Sequence, residues 1–317
     1  MLHREYIRLK SQHNKHLSYC VATLMLLCMV IGSFNTCSRA QTPIPKEAIY
    51  DKADFGTRIP YQKAHSDLTA QFNRYMKGDS VYLVINDTSV TAYKTDNQRF
   101  LKKVIAPALE PYLDELSGLS PSEIINELAL FTFNMYQAYF GNSFYRWGGD
   151  LFDLDDPQFR GNTSHKRYGL DCSGFVMAPF DLAVYFDLLE DSAAIFSSQG
   201  FRYFCEKTGF QDSGGFGGSP NNFRIDTREM IFLGDEVFHI EKGESLSLEN
   251  LKKLQPGDVV CRKGHAGMIV FIKEHPYYIE SGGRIVPSAG GYPVKAEVAL
   301  PLFAKNRPVS IRRGLLQ

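Results

Sequence analysis

The spacing of hydrophobic and polar positions changes several times along this chain and predicts helices in its middle part. From residue 121 to residue 140, apolar residues recur every three or four positions and also occupy the other faces, which predicts a buried helix. Ser120–Glu123 places a serine cap, a proline and a glutamate at the start of that helix. Further helices are predicted over residues 172–189, where Pro179 implies a kink or an early end, and over Ala193–Lys207.

Shorter apolar runs near the C-terminus predict strands. Val259–Arg262 and His265–Ile272 are two such runs, and Tyr277–Ser281 is predicted to return antiparallel after a turn over Lys273–Pro276. A last strand is predicted over Arg307–Leu315. Helices followed by strands that are joined through short turns indicate an α+β fold with an antiparallel sheet.

Residues 41–119 carry patterns of their own but indicate no ligand. Helical spacing over His65–Lys77 predicts a short helix, and alternation over Ser80–Tyr93 predicts strand with a turn in the middle. Phe100–Leu116 is predicted to be helical with a break at a proline. The region is either a small accessory domain or an N-terminal elaboration of the main domain, which we place at residues 120–317.

The first 40 residues have the pattern of a signal segment. Residues 1–18 carry four lysines and arginines against one glutamate, and the apolar run Tyr19–Phe34 that follows is short for a membrane span. Three interpretations remain open: cleavage after Ser38–Ala40, lipidation of Cys37 with attachment to a membrane, or an uncleaved anchor helix. All three place the main domain outside the cytoplasm, in the periplasm or on an outer surface.

The composition is that of a globular protein and indicates no nucleic-acid partner. The 317 residues are 44% hydrophobic and 22% charged, and their formal net charge is +0. Three of the six cysteines fall in residues 1–40, so Cys172, Cys205 and Cys261 remain after export with at least one free thiol. Cys205 and Cys261 either form a disulfide or are two buried thiols. With no Cys-x-x-Cys spacing, we expect no structural zinc and no cofactor.

Cys172 is the candidate nucleophile. The stretch Tyr168–Ala178 predicts a turn that delivers this cysteine to the first turn of a helix. Unpaired N–H groups and the helix dipole favour a thiolate there, so we expect a lowered pKa. The alternative is a buried structural cysteine.

Four short motifs follow one another within residues 120–315. They are Tyr-x-Trp-Gly-Gly at Tyr145–Gly149, Asp-Cys-Ser-Gly-Phe-Val at Asp171–Val176, Pro-Gly-Asp-Val at Pro256–Val259 and His-x-Gly-Met at His265–Met268. In this order they resemble the NlpC-type papain-like cysteine peptidases, endopeptidases that cut the peptides of bacterial peptidoglycan. The resemblance implies a papain-like α+β fold, in which a helical half carrying the nucleophile packs on a small antiparallel sheet carrying the base.

The resemblance implies a catalytic role for three residues. Cys172 would be the nucleophile, and His265 would be the general base that later protonates the leaving amine. Glu280 stands where the family usually has a polar third residue, often histidine or asparagine, and we expect it to orient His265 across the hairpin. The rival third residue is His275, which we expect to lie in the hairpin turn and point to solvent.

Substrate contacts are implied by the same resemblance for Tyr145, Asp171 and Ser173, with Asp171 meeting the free amino terminus of the peptide. The implied reaction is hydrolysis of the amide between D-glutamate and a diamino acid in peptidoglycan stem peptides. The alternatives are an amidase or acyltransferase with the same dyad, or an inactive cell-wall-binding domain.

One long insertion separates Gly149 from Asp171, where compact family members have a much shorter connection. It carries four aspartates, which predict a solvated acidic loop, with a calcium site as the alternative: Asp150, Asp153, Asp155 and Asp156. We expect this insertion and the one after Cys172 to wall the cleft and to alter substrate choice.

Overall fold

A computed structural model describes this chain at residues 76–77, 80–85, 88–91, 101–140, 145, 148–151, 169–211, 224–282, 286 and 292–315. All of these belong to one compact unit, residues 44–317. The signal segment predicted over residues 1–40 lies outside the described residues, so both the segment and its processing stay predictions. Within the described ranges, no helix combines the length and the apolar character needed to cross a membrane.

Three short strands near the N-terminal side form a sheet of their own. Ile85 pairs with Thr88, which confirms the strand pair predicted over Ser80–Tyr93. Met76 pairs with Val81, so the helix predicted over residues 65–77 is wrong at its described end; its other residues lie outside the described ranges. The strands run antiparallel in the order β1 (Met76–Lys77), β2 (Ser80–Ile85) and β3 (Thr88–Thr91).

The next segment is helical and broken, as predicted. Pro107 and Pro111 each fall at the start of a new helical piece, where the missing N–H removes no hydrogen bond. Leu101, Leu109 and Leu116 are buried in the same hydrophobic core as the helices that follow, so this part is an elaboration of the main unit. Its pieces are a π-helical turn (Leu101–Ile105), α1 (Ala106–Leu109), a 3-10 turn (Glu110–Tyr112) and α2 (Leu113–Ser117).

The long helix α3 (Pro121–Phe140) is buried over residues 124–137, as its apolar pattern predicted. Glu123 closes its first turn: its carboxylate accepts the Ser120 backbone N–H at 2.9 Å and the Ser120 hydroxyl at 2.6 Å. α3 packs against α4 (Cys172–Tyr185). The rings of Phe133 on α3 and Phe175 on α4 have centroids 6.0 Å apart. α4 continues through Pro179 but ends before residue 189.

Among the described residues, four shorter α-helices and a 3-10 turn (Asp191–Ala193) complete the helical part. Ser197 caps the one that follows α4 by accepting the Gly200 N–H at 2.8 Å, so this helix begins later than the predicted Ala193. The helix before the last strand has Pro301 inside it and was not predicted. The four are α5 (Ser198–Thr208), α6 (Thr227–Met230), α7 (Leu248–Lys253) and α8 (Ala296–Ala304).

A six-stranded antiparallel sheet forms the other half. Its spatial order is β4-β9-β5-β6-β7-β8, so the last strand in the chain lies inside the sheet between β4 and β5. The strands predicted at 259–262 and 265–272 are confirmed, whereas the first strand of the sheet was not predicted. The strands are β4 (Asp235–Ile240), β5 (Val259–Arg262), β6 (His265–Ile272), β7 (His275–Ile279), β8 (Val294–Lys295) and β9 (Val309–Arg313).

The hairpin between β6 and β7 turns more tightly than predicted. Lys273 and Glu274 both have positive φ, 49° and 66°, and form a two-residue turn whose twist suits a hairpin. His275 therefore pairs with Ile272 inside β7 instead of lying in the turn, which corrects the predicted position, and its side chain is exposed.

Both faces of the sheet are covered. Ala266 and Met268 belong to the core that contains α3 and α4, whereas Ile269 and Tyr278 belong to a second core that contains Phe303 of α8. This explains the nearly unbroken apolar run of β6, because a strand buried on both faces has no solvent side. The molecule is thus an α+β protein with helices on a small antiparallel sheet, as predicted.

Candidate active site

Cys172 is the first residue of α4, and the residues beside it fix the start of that helix. Asp171 is the N-cap, and its Oδ1 accepts the Gly174 N–H at 2.8 Å and the Ser173 hydroxyl at 2.9 Å. A Cβ at Gly174 would lie 2.9 Å from the Asp150 Cα, so only glycine lets the turn at residues 149–150 approach this closely. The Asp-Cys-Ser-Gly motif therefore forms the start of a helix, which packs closely against the turn at residues 149–150.

Asp171 also joins the helix start to the glycine pair. Its Oδ2 accepts the Gly148 N–H at 3.1 Å and a hydrogen bond from Arg224, and its own N–H donates to the Gly149 carbonyl at 2.9 Å. Arg224 reaches the Gly148 carbonyl at 2.8 Å and the Asp150 carboxylate at 3.4 Å. These contacts give Asp171 a structural part in positioning Cys172, while its contact with substrate stays a prediction.

The thiol of Cys172 is buried, and its electrostatic surroundings differ from those expected. Burial, the largest cause, and then the Asp171 carboxylate raise the pKa of Cys172 to about 12. Hydrogen bonds from the backbone N–H groups of Ala266 and Ser173 act in the opposite direction. The expected lowering of this pKa is therefore wrong, because burial disfavours the charged thiolate and the carboxylate that caps the helix adds negative charge beside the sulfur. A base is needed to remove the thiol proton.

His265 lies at the start of β6, next to the residue that contacts the thiol. Its Nε2 is 2.7 Å from the Glu280 Oε2, and its ring stacks on Phe303 with centroids 5.7 Å apart. Because a carboxylate only accepts, this contact assigns the proton to Nε2 and leaves Nδ1 as the free acceptor. Ala266 donates its N–H to the Cys172 sulfur, so the thiol is held against the backbone that carries the imidazole.

Glu280 is fully buried and reaches His265 diagonally across the hairpin. Met268 pairs with Ile279, and the same register puts Glu280 opposite Gly267, two residues from His265. This is the diagonal relation predicted from the sequence, although the turn that sets it lies one residue earlier in the chain. The rival His275 is at the far end of β7 from Glu280.

Tyr278 is a member of this network that sequence reasoning missed. Its hydroxyl donates to the Glu280 Oε2 at 2.7 Å, the oxygen that also contacts His265. Burial, and then Glu280, raise the pKa of Tyr278 well above its usual value, so the hydroxyl keeps its proton. A Cβ at Gly267 would lie 2.6 Å from the Cε2 and Cζ atoms of this ring, so the glycine makes room for it. Two features of the sequence could have indicated this contact: a glycine at the position opposite Glu280, and a tyrosine two residues before Glu280.

The segment after Glu280 is tied to the strand that precedes Cys172. Ser281 donates its hydroxyl to the Leu170 carbonyl at 2.5 Å, and Leu170 forms a parallel bridge with Tyr145. A Cβ at Gly282 would lie 3.1 Å from the Tyr145 Cβ, so the half-buried tyrosine packs directly on this segment. The predicted substrate-contact residues Tyr145, Asp171 and Ser173 thus lie around Cys172 and Glu280.

The other two described cysteines take no part in this cluster. Cys205 and Cys261 are buried thiols and form no disulfide, which decides against the bond between them. Burial raises the pKa of Cys261 to about 12 as well. Within the described ranges, no group of three or more histidine, cysteine or acidic residues is arranged to hold a metal ion. Asp150, which was considered for calcium, pairs with Arg224, and the other three aspartates of that loop lie outside the described residues.

Comparisons of the chain with protein-family models, curated proteins and solved structures gave no match. The chemistry of this site is therefore argued from its residues and their geometry. The site has a buried thiol at a helix start, and the backbone N–H that donates to this thiol belongs to the residue after His265. The imidazole of His265 is in turn hydrogen-bonded to the buried carboxylate of Glu280.

Proposed function

We propose that this protein is an exported, NlpC-type papain-like cysteine peptidase that hydrolyses an amide bond in peptidoglycan stem peptides. The observation that supports the proposal is that Cys172, His265 and Glu280, which are separated in the sequence, are linked by two contacts in the structure. Glu280 holds His265 at 2.7 Å, and the residue after His265 donates its N–H to the sulfur of Cys172. The arrangement is that of a nucleophile, a base and a group that orients the base.

The raised pKa of Cys172 determines how the first step would proceed. The thiol enters the reaction protonated, so Nδ1 of His265 takes its proton as the sulfur attacks the amide carbonyl. Glu280 stabilises the imidazolium that forms, and the Cys172 backbone N–H, in the first turn of the helix, is a donor for the developing oxyanion. His265 then protonates the leaving amine, and water hydrolyses the thioester to release the acid and the thiol.

The bond proposed for cleavage is the amide between D-glutamate and a diamino acid. The support for this substrate is the set of motifs around Cys172, together with Tyr145 and Ser173, which lie beside the site. A cell-wall substrate also agrees with the signal segment proposed for residues 1–40.

An acyltransferase acting through the same thioester is the second candidate. It is favoured by the low exposure of Cys172, 8%, because a site that excludes water gives an amine acceptor an advantage over hydrolysis. The two candidates share the first half of the reaction and differ only in what attacks the thioester.

The deciding experiment is incubation of the mature protein with defined muropeptides, followed by mass spectrometry of the products. We expect two fragments whose masses sum to substrate plus water, and no products from the Cys172→Ala variant. Cys205→Ala is the matched control, because it removes a thiol that is also buried but lies outside the site. Products that carry an added amine would identify the acyltransferase, and turnover by folded Cys172→Ala would remove Cys172 as the nucleophile.

A further inference from the structure

A second concavity lies at one end of the sheet and is separate from the Cys172 site. Its volume is about 510 Å³, and neither Cys172, His265 nor Glu280 lines it. It is bounded by the segment before β4, by the ends of β4 and β5, and by the chain that leads into β9. Its lining includes Ile231, Phe232, Arg262, Lys263, Arg307 and Pro308.

Three cationic side chains face this cavity without an acidic partner. Arg262 donates to the Phe303 carbonyl at 2.5 Å, and Arg307 donates to the Lys263 carbonyl at 2.8 Å. Carbonyl oxygens accept these hydrogen bonds but do not neutralise the charges. Among the described residues, no carboxylate forms an ion pair with Arg262, Lys263 or Arg307.

The acidic residue of the lining is already neutralised. Glu236 accepts the Ser310 hydroxyl at 2.8 Å and the Arg312 guanidinium at 3.1 Å. Arg262 is only 9% exposed, and burial, the largest cause, lowers its pKa; the neighbouring Arg307 lowers it too, whereas Tyr278 and the more distant Glu280 carboxylate raise it. A buried cation beside further cations is costly unless an anion accompanies it. The cavity therefore carries an excess of positive charge that an anionic ligand would balance.

The rest of the wall is apolar. Ile231, Phe232 and Pro308 line the cavity beside the cations, and Phe232 is 72% exposed. A ligand that covered this ring would gain from removing apolar surface from water. We propose that the cavity is a binding site for a small organic anion, a carboxylate or a phosphate ester, whose charged group meets Arg262, Lys263 and Arg307 and whose apolar group packs on Phe232.

Isothermal titration of the mature protein with benzoate and with phenyl phosphate tests the site independently of any peptidase activity. Both probes fit the proposed chemistry, and their relative affinities identify which oxyanion the cations prefer. Benzyl alcohol is the uncharged control. We expect saturable binding of at least one anion, weakened by added salt, and no comparable binding of the alcohol.

Two variants connect that binding to this cavity. Lys263→Gln and Arg307→Gln should each weaken the anion about tenfold, the usual effect of losing one charge-assisted contact. Arg202→Gln is the matched control, because Arg202 is exposed and pairs with Glu206 on α5, outside the cavity. Lys263→Gln decides the outcome, since its side chain donates no hydrogen bond among the described residues and its loss should leave the melting temperature unchanged. The absence of saturable binding, or binding that Lys263→Gln leaves unchanged, would overturn the proposal.

Discussion

Glu280 and His275 offer a direct comparison at the scale of single residues, because both follow His265 but only Glu280 contacts it. Glu280→Gln keeps the size of the side chain and removes the charge that stabilises an imidazolium. We expect kcat/KM on the muropeptide to fall by about two to four orders of magnitude, less than for Cys172→Ala, as for the orienting member of other triads. His275→Ala should stay within about twofold, because its side chain is exposed. The reverse ranking would exclude Glu280 as the third residue.

A variant of Tyr278 tests whether the Glu280 carboxylate needs the hydrogen bond that Tyr278 donates to it. Tyr278→Phe removes the hydroxyl that donates to Glu280 at 2.7 Å and should lower stability by about 1 kcal/mol. A carboxylate that has lost this donor is held less firmly against His265, so kcat/KM on the muropeptide should fall as well. Steady-state rates of the variant and the wild type, with a thermal melt as control, decide this. A destabilised variant with an unchanged kcat/KM would give Tyr278 a structural role alone.

The sequence could predict where Cys172, His265 and Glu280 lie because their signals are local: a helix start, a strand start and a position across a hairpin. Arg224 had no such signal, since it meets Asp171 from 53 residues away and only the folded chain brings them together. The sequence also could not predict in which direction the pKa of Cys172 is shifted. That direction depends on burial and on the negative charge of Asp171 beside the sulfur, and neither effect can be weighed from a helix-start pattern.

At the scale of secondary structure, Gly267 connects the β6–β7 pairing to the hydrogen bonds that join His265, Glu280 and Tyr278. Gly267→Ala would force a methyl group against the Tyr278 ring, which has a fully buried environment and little room to move. We expect a loss of stability of about 1–3 kcal/mol, together with lower activity because Tyr278 and Glu280 shift together. Gly118→Ala is the matched control, since its nearest neighbour would be the Glu115 carbonyl oxygen at 3.6 Å. Chemical denaturation of both variants checks this; equal stabilities would refute the steric argument.

Helices and strands were predicted correctly where apolar residues recur over many positions, and incorrectly where the geometry of a turn sets the boundary. The bounds of β6 were predicted to the residue because nearly all of its eight positions are buried. The turn after it was misplaced because Pro276 was taken as a turn residue, while the positive φ values fall on Lys273 and Glu274, which seldom adopt them. α8 was missed because Pro301 interrupts its pattern.

At the scale of the whole molecule, the buried thiols make stability depend on alkaline pH. Burial raises the pKa of Cys172 from 9.0 to about 12, so the folded state keeps the proton that the unfolded chain loses. This contribution is fully present below about pH 9 and is lost as the pH rises toward 12, by about 1.4 kcal/mol per pH unit. Unfolding free energies measured between about pH 9 and pH 11 should therefore fall more steeply for the wild type than for Cys172→Ala. Parallel slopes would contradict the raised pKa.

The position of β9 inside the sheet has a consequence for the timing of folding. A ribosome completes Val309–Arg313 after every other described strand, yet these residues separate β4 from β5. The growing chain can pair β5 with β6 early, but it cannot close the sheet until Val309–Arg313 have been synthesised. Until then the nascent chain remains incompletely folded, which is the condition that a translocation channel for unfolded chains requires. This order of events would suit the export that we propose for this protein.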